Sequence, residues 1–260
     1  MAHTGLSYEP DLCGRLPAFP TPARYLVMNI LSIDTTADLC SIALDAGGNS
    51  FVFHESRPRE HAKILLPEIT RLFHEAGIKI QDLDLVVFGR GPGSFTGVRI
   101  AASVAQGIAL AAGCPVFPVS TLQSVAFSAA KNGARSIWVA LDARMSEWYF
   151  ARYNISGSSL VPELIDQEQV LPPAQISQTP ESETTFCGNG WATDYPLPEQ
   201  LAERTISADP LLGLPHALHS LELVKILMSE KGEQAVAPEQ AIPVYLRDKV
   251  TWDNKPKVGS

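Results

Sequence analysis

The sequence predicts an α/β protein of two similar lobes, on three observations. Short apolar runs of strand character alternate with segments of helical period. The stretch Leu31-Ser32-Ile33-Asp34 recurs as Val139-Ala140-Leu141-Asp142, each an apolar strand ending in aspartate, followed by a polar turn and a returning strand. The economical reading is an internal duplication. Between the two copies, Gly89–Ile100 reads GRGPGSFTGVRI, a glycine turn leading from strand to helix. A chain of 260 residues has room for two such lobes with a sizeable core.

In chain order, residues 1–27 carry Pro10, Pro17, Pro20 and Pro22 without sustained periodicity. They are expected to be a disordered extension, a cloning remnant or a misread start, with structure beginning at Met28. Asn29–Thr35, Leu39–Leu44 and Phe51–Glu55 read as a three-stranded antiparallel meander. Glu60–Ala76 is an amphipathic helix capped by Gly77, and Pro67 inside it is expected to bend it. Leu85–Phe88 is a short strand, parallel to its neighbour across a right-handed crossover. The helix Phe95–Ala112 is apolar or small around most of its circumference, with Arg99, Ser103 and Gln106 its polar points. Such a helix needs cover on more than one side, from its own fold or from a partner. Strand Pro115–Val119 and helix Thr121–Lys131 complete the first lobe, residues 28–133.

The second lobe, residues 134–252, begins with the strands Ile137–Asp142 and Trp148–Tyr153. Pro172-Pro173 and Ser177–Thr185 mark loops. Strand Thr184–Cys187 then enters a second glycine turn, Gly188-Asn189-Gly190-Trp191. A long helix, Leu214–Lys231, could pack on either lobe, Ile242–Arg247 reads as ordered, and residues 253–260 are expected to fray.

Composition narrows the function. A net charge of −8 argues against a self-sufficient nucleic-acid binder, though not against RNA handled jointly with a basic partner. Cys13, Cys40, Cys114 and Cys187 form no close pair, which favours a reducing, cytoplasmic setting and small buried thiols. No run of eighteen uninterrupted apolar residues occurs, so no membrane span is expected. The histidines share no metal-ligand spacing; His216 and His219, three apart on the long helix, read as a solvated surface pair.

The glycine turn invites a phosphate, since glycines permit close approach and Ser94 or Thr96 can cap a helix whose free N–H groups favour an anion. No Gly-Lys-Ser/Thr follows, however, and the dinucleotide spacing is absent. Asp34 and Asp142 facing one another across a cleft would suit a magnesium–nucleotide site; equally, each could fix only its own hairpin. Candidates for nucleotide or phosphate contact are therefore Asp34, Gly91, Gly93, Ser94, Thr96, Gly97 and Asp142. No complete catalytic constellation and no metal site can be assembled.

These segments together resemble the TsaB (YeaZ) family, the accessory subunit of bacterial tRNA threonylcarbamoyladenosine synthesis. The resemblance covers about residues 28–252. It rests on ILSIDTT with CSIAL, EHAKILLPEI, GRGPGSFTGVRI, DARMSEWYF, CGNGW and PVYLR. It implies the actin/Hsp70-like ATPase (ASKHA) fold of two ribonuclease-H-like lobes. It also implies a partnership with TsaD, the subunit that transfers threonylcarbamoyl to adenosine 37 of tRNA, and with the ATPase TsaE. A homodimer is implied when the chain is alone, with tRNA met only through the complex. Where TsaD carries two metal histidines, this chain has Thr121 and Val125. That departure implies a pseudo-enzyme with no cofactor of its own, ATP or ADP and magnesium entering only at the assembled complex. A stand-alone ATPase is the alternative, and a glycoprotease-like peptidase the least supported. The resemblance places the partner interface on the two helices flanking the glycine turn, at Leu65, Ile69, Leu72, Phe73, Val98, Ala101, Ala102, Ala105 and Ala109. On that expectation Ala102→Arg or Ala109→Arg would abolish pairing and leave the chain folded.

Overall fold

The structure, a computed structural model, describes residues 28–202 and 213–247. The expected extension 1–27 and tail 253–260 lie outside the described residues, as does the end of the second lobe beyond 247. Two sheets carry the fold. The first runs β3-β2-β1-β4-β5, from β1 (Ile30–Asp34), β2 (Leu39–Ala46), β3 (Asn49–Ser56), β4 (Leu85–Gly91) and β5 (Val116–Ser120). The predicted meander is antiparallel, and β4 joins β1 in parallel, with β5 parallel beyond it. The second sheet runs β10-β6-β7-β8, from β6 (Ser136–Asp142), β7 (Trp148–Asn154), β8 (Glu163–Leu164) and β10 (Thr184–Cys187), and β9 (Gln169–Leu171) also pairs with β7.

The duplication read from the strand-end aspartates extends to topology. In each lobe the aspartate-ending strand pairs antiparallel with its successor and parallel with a strand that enters a glycine turn: β1 with β2 and β4, β6 with β7 and β10. Strands flanked on both sides by neighbours and buried on both faces read as continuous apolar runs, which is why β1, β4 and β6 were legible without alternation.

On the first sheet lie α1 (His61–Ala76) and α2 (Phe95–Ala112). Gly77 ends α1 in the left-handed conformation, and α1 runs unbroken through Pro67. By length and composition α2 could cross a membrane, yet one side of it packs in the first lobe's core, with Ala101, Ala105 and Ala109 fully buried against β1 and β4 residues. A third helix, α3 (Thr121–Lys131), matches its predicted bounds and lies between the lobes. Its Leu122, Val125 and Ala126 pack on Ile137 and Val139 of β6, while Phe127 joins the first lobe's core. The short α4 (Glu199–Ala202) buries Leu201 under the second sheet with Trp138, Trp148 and Trp191.

The long C-terminal helix departs from expectation. Its α-helical part, α5 (Ala217–Ile226), starts at His216, whose ring Nδ1 accepts from Leu218 N at 3.1 Å, and it widens to a π-turn over Leu227–Lys231. This helix returns to the first lobe, seating Leu221, Val224 and Leu227 on Ile30, Ala43 and Val87. His216 and His219 are consequently no solvated pair: His216 stacks on His54 of β3 with ring centroids 4.0 Å apart, and His219 lies 4.9 Å beyond. Burial lowers all three imidazoles, His216 to about 3. From α5 the chain follows the outer edge of β5, where Val116 and Val236 exchange backbone hydrogen bonds of 2.9 and 2.7 Å, and then runs along α2.

The nine side chains expected at a partner interface face inward. Leu65, Ile69, Leu72, Phe73, Val98, Ala101, Ala102, Ala105 and Ala109 are each at most 8% exposed and lie in the first lobe's own core. The reason is that the apolar stripe of an amphipathic helix is its core-facing stripe, and the same periodicity that reveals a helix marks the side its own sheet covers. Ala102→Arg or Ala109→Arg should therefore attack folding rather than pairing. Each should lower unfolding free energy by about 3 kcal/mol or more, from overpacking and a buried charge, as read by urea denaturation.

Candidate functional site

At the end of β1 the backbone turns sharply, and Asp34 folds back on that turn. Its Oδ1 accepts from Thr36 N at 2.9 Å and Thr36 Oγ1 at 2.7 Å. Thr36 Oγ1 in turn accepts from Thr121 Oγ1 at 3.2 Å, tying α3 to the same turn. The glycine turn packs directly on this corner. Ser94 N donates to Thr36 O at 2.7 Å, and Thr35 Oγ1 donates to Gly97 O at 2.7 Å. A Cβ on Gly97 would come within 1.9 Å of Thr35 O, on Gly93 within 2.4 Å of Thr36 O, and on Gly89 within 2.3 Å of Asp34 Oδ2. At Gly93 and Gly97 glycine is required because backbone meets backbone, and at Gly89 because the buried Asp34 carboxyl lies against the backbone. Ser94 caps α2 as predicted, accepting from Gly97 N at 3.3 Å.

Asp34 is 1% exposed. Oδ2 has no hydrogen-bond partner and sits against Gly89. Burial lifts its carboxyl from the ordinary 3.8 to about 6, against the opposing pull of the Thr36 hydrogen bonds. Asp142, the equivalent strand-end residue, is engaged differently. Its Oδ1 accepts from Arg144 N at 2.8 Å and Tyr195 OH at 2.9 Å, its Oδ2 from Arg144 Nη1 at 3.0 Å, and its own N–H donates to Asn189 Oδ1 at 3.0 Å. The second glycine turn repeats the close approach: a Cβ on Gly188 would come within 2.0 Å of Ala140 O.

A cleft of about 300 Å³ opens between the lobes, lined by Thr36–Asp38, Pro92–Phe95, Leu141–Arg144, Tyr149, Asn189 and Val244–Arg247. Of the seven candidates for nucleotide contact, it receives Gly93, Ser94 and Asp142. Asp34 lies beneath it, so the two aspartates do not face one another across it, and Gly91, Thr96 and Gly97 are not among its lining. A hydrated magnesium needs carboxylate oxygens open to the cleft. Asp34 is enclosed and both Asp142 oxygens are occupied, which leaves Asp38, its side chain 67% exposed and its Oδ2 on Arg144, as the carboxylate open to the cleft. Residues that were not foreseen cross the cleft instead. Arg144 reaches Asp38 at 3.2 Å, and Tyr149 OH donates to Gly93 O at 3.2 Å. Arg144, Asn189 and the Val244–Arg247 wall stood in the noted segments DARMSEWYF, CGNGW and PVYLR, but nothing in their local pattern says they converge.

Comparison with known proteins decides the family. Residues 52–254 match the family described as "TsaD: tRNA N6-adenosine threonylcarbamoyltransferase". The tRNA threonylcarbamoyladenosine biosynthesis protein TsaB of Haemophilus influenzae is 35% identical over 237 residues, covering 88% of this chain and 98% of that protein. Its Escherichia coli counterpart is 36% identical over 233 residues, covering 88% and 99%. The chain belongs to the TsaB (YeaZ) family. A solved structure of YeaZ from Pseudomonas aeruginosa superposes with a TM-score of 0.73 at 38% identity, covering 84% of this chain and all (100%) of that one. The two-sheet architecture is accordingly the actin/Hsp70-like ASKHA fold.

In this TsaB-family chain Thr121 and Val125 are interior. Thr121 is fully buried and bonded to Thr36, and Val125 packs among Ile137, Val139 and Ala151. The described cysteines are buried too, and burial pushes the Cys40 and Cys187 thiols up to about 12 and Cys114 to about 11. They are packing groups, not nucleophiles. The exposed surface of the two helices beside the glycine turn carries Leu66 at 53%, Phe95 at 46% and Leu110 at 66%. Ser103, Gly107 and Ala111 lie exposed on α2, and a Cβ on Gly107 would meet nothing within 4 Å.

The Asp34 environment makes a pH prediction for the TsaB-family fold. A carboxyl raised in the folded state keeps a proton between about pH 4 and 6 that the unfolded chain has lost, so its contribution to stability is greatest below pH 4 and falls as pH rises through 6. A displacement of this size corresponds to about 3 kcal/mol. Asp34→Asn keeps an acceptor for Thr36 and cannot ionise. Its stability relative to the parent should rise by about 3 kcal/mol between pH 4 and 7, read by urea unfolding at both pH values.

Proposed function

We propose that this chain is a non-catalytic scaffold and activator of tRNA threonylcarbamoyladenosine synthesis. It pairs with TsaD, which transfers threonylcarbamoyl to adenosine 37 of tRNA; TsaE joins the pair, and the chain forms a homodimer when alone. It works in the cytoplasm with no cofactor of its own. ATP or ADP, magnesium and tRNA are met through the assembled complex.

Membership of a family named for tRNA threonylcarbamoyladenosine biosynthesis supports the pathway. The observation that carries the non-catalytic reading is the internal engagement of the chemistry-bearing groups. Asp34 is closed off under the glycine turn, Asp142 is held by Arg144 and Tyr195, and the turn's glycines are taken up by contact with Thr35 and Thr36. A hydrolase at this cleft would need metal-ligand carboxylates together with a base; the open carboxylate lining it is Asp38, whose Oδ2 is already on Arg144. The partner reading rests on the outer surface of α1 and α2. Leu66 and Leu110 are exposed apolar anchors, with small residues on α2 that let another helix approach.

Two experiments test this. Threonylcarbamoylation of tRNA reconstituted with and without the chain should fall sharply in its absence; undiminished modification contradicts the proposal. Leu66→Arg combined with Leu110→Arg changes only exposed side chains, so the unfolding midpoint should hold. Pairing measured by sedimentation should weaken about tenfold or more, equivalent to about 1.4 kcal/mol. Unchanged pairing places the interface elsewhere.

A further inference from the structure

The described C-terminal segment and the β6–β7 hairpin meet in an arrangement that neither the family reading nor the proposed pairing uses. The hairpin turn between β6 and β7 holds Arg144, Met145 and Ser146 at φ of 61, 58 and 59°. Three consecutive non-glycine residues in the left-handed region are unfavourable for L-amino acids, which visit it as single residues. A conformation of this kind persists only where its surroundings over-determine it. Two sets of contacts do so here. Within the hairpin, Arg144 N donates to Asp142 Oδ1 at 2.8 Å, Ala143 N to Glu147 O at 2.9 Å and Glu147 N to Arg144 O at 3.1 Å. From outside, Arg247 pairs with Glu147, and its second terminal nitrogen lies 3.6 Å from Met145 Sδ.

Arg247 is delivered by a strap seated on the first lobe. Ala241 is fully buried and its carbonyl accepts from Gln106 Nε2 at 3.0 Å. Val244 N donates to Arg90 O at 2.8 Å beside Gly91, where a Cβ would come within 2.9 Å of Val244 O. Tyr245 OH accepts from Arg99 Nε at 2.8 Å, with the Arg99 guanidinium 3.5 Å over the Phe95 ring. The strap thus starts on α2 and the glycine turn and ends on the opposite lobe's hairpin, forming a wall of the cleft. On the far side of the same hairpin, Arg144 reaches across to Asp38 at 3.2 Å.

We infer that residues 241–247 and the left-handed hairpin form a strained latch across the inter-lobe cleft, in which Arg247 holds the hairpin in the conformation that keeps Arg144 on Asp142 and Asp38. Loss of the Arg247 contact lets the turn relax, withdraws Arg144 from both aspartates and releases the bridge between the lobes. The core clusters of both lobes are untouched by this movement, so it is a local opening and not unfolding.

Amide hydrogen exchange on the full chain tests the latch. Arg247→Ala should speed exchange at Ala143 and Glu147 about tenfold, while Ser94, whose N–H bonds within the first lobe, keeps its protection. Ser146→Gly removes the left-handed penalty at that position, because glycine adopts positive φ freely. Added to Arg247→Ala, it should restore most of the lost protection. Unchanged exchange at Ala143 and Glu147 in Arg247→Ala overturns the latch, and so does a double variant no better protected than Arg247→Ala alone.

Discussion

The close approach of the glycine turn to the Asp34–Thr36 corner is the contact on which the first lobe depends. It joins the end of β1 to the end of β4 and the start of α2 through the Ser94 N–Thr36 O and Thr35 Oγ1–Gly97 O hydrogen bonds and through approaches that only glycine admits, with Cβ clearances as short as 1.9 Å. Thr121 extends the same network to α3, the helix that lies between the lobes. One corner therefore sets the position of two helices and of the cleft floor. Its features are a carboxyl withdrawn from solvent, with Oδ1 taken by its own turn and Oδ2 unpartnered against Gly89, and glycines Gly93 and Gly97 set against the carbonyls of Thr36 and Thr35.

The second lobe repeats the plan and changes its use. Gly188 approaches Ala140 O as Gly97 approaches Thr35 O, yet Asp142 stays at the surface and gathers Arg144, Tyr195 and Asn189. The duplicated strand-end aspartates have thus diverged, one becoming an interior brace and the other the anchor of a strained hairpin. Two lobes related in this way could close on a ligand held between opposed carboxylates. In this chain the opposition is between Asp38 and Asp142, and a guanidinium stands between them.

Much of the architecture was legible because it follows from period and punctuation. Strands β1, β4 and β6 announced themselves as apolar runs, α1 by its interval pattern and its Gly77 cap, and the duplication by a four-residue echo. Side-specific and long-range features were not legible. The apolar stripe of α1 and α2 marks the covered side, so periodicity named Leu65 and Ala105 where the outward surface holds Leu66 and Leu110. The return of α5 to the first lobe, which half-buries His216 on His54 with His219 beyond it, depends on a partner more than 160 positions away and leaves no local signal. Short strands β8 and β9 carry too few residues for an alternation to stand out.

Exposed apolar side chains on α1 and α2, an enclosed Asp34 and a bridged cleft are the observations on which the proposed role by association rests. The claim beneath that account is that the glycine turn serves the chain's own backbone and does not cradle a nucleotide. Calorimetric titration of the isolated chain with ATP and magnesium addresses it directly. The account predicts no saturable heat; saturable binding with turnover of ATP by the chain alone would contradict it.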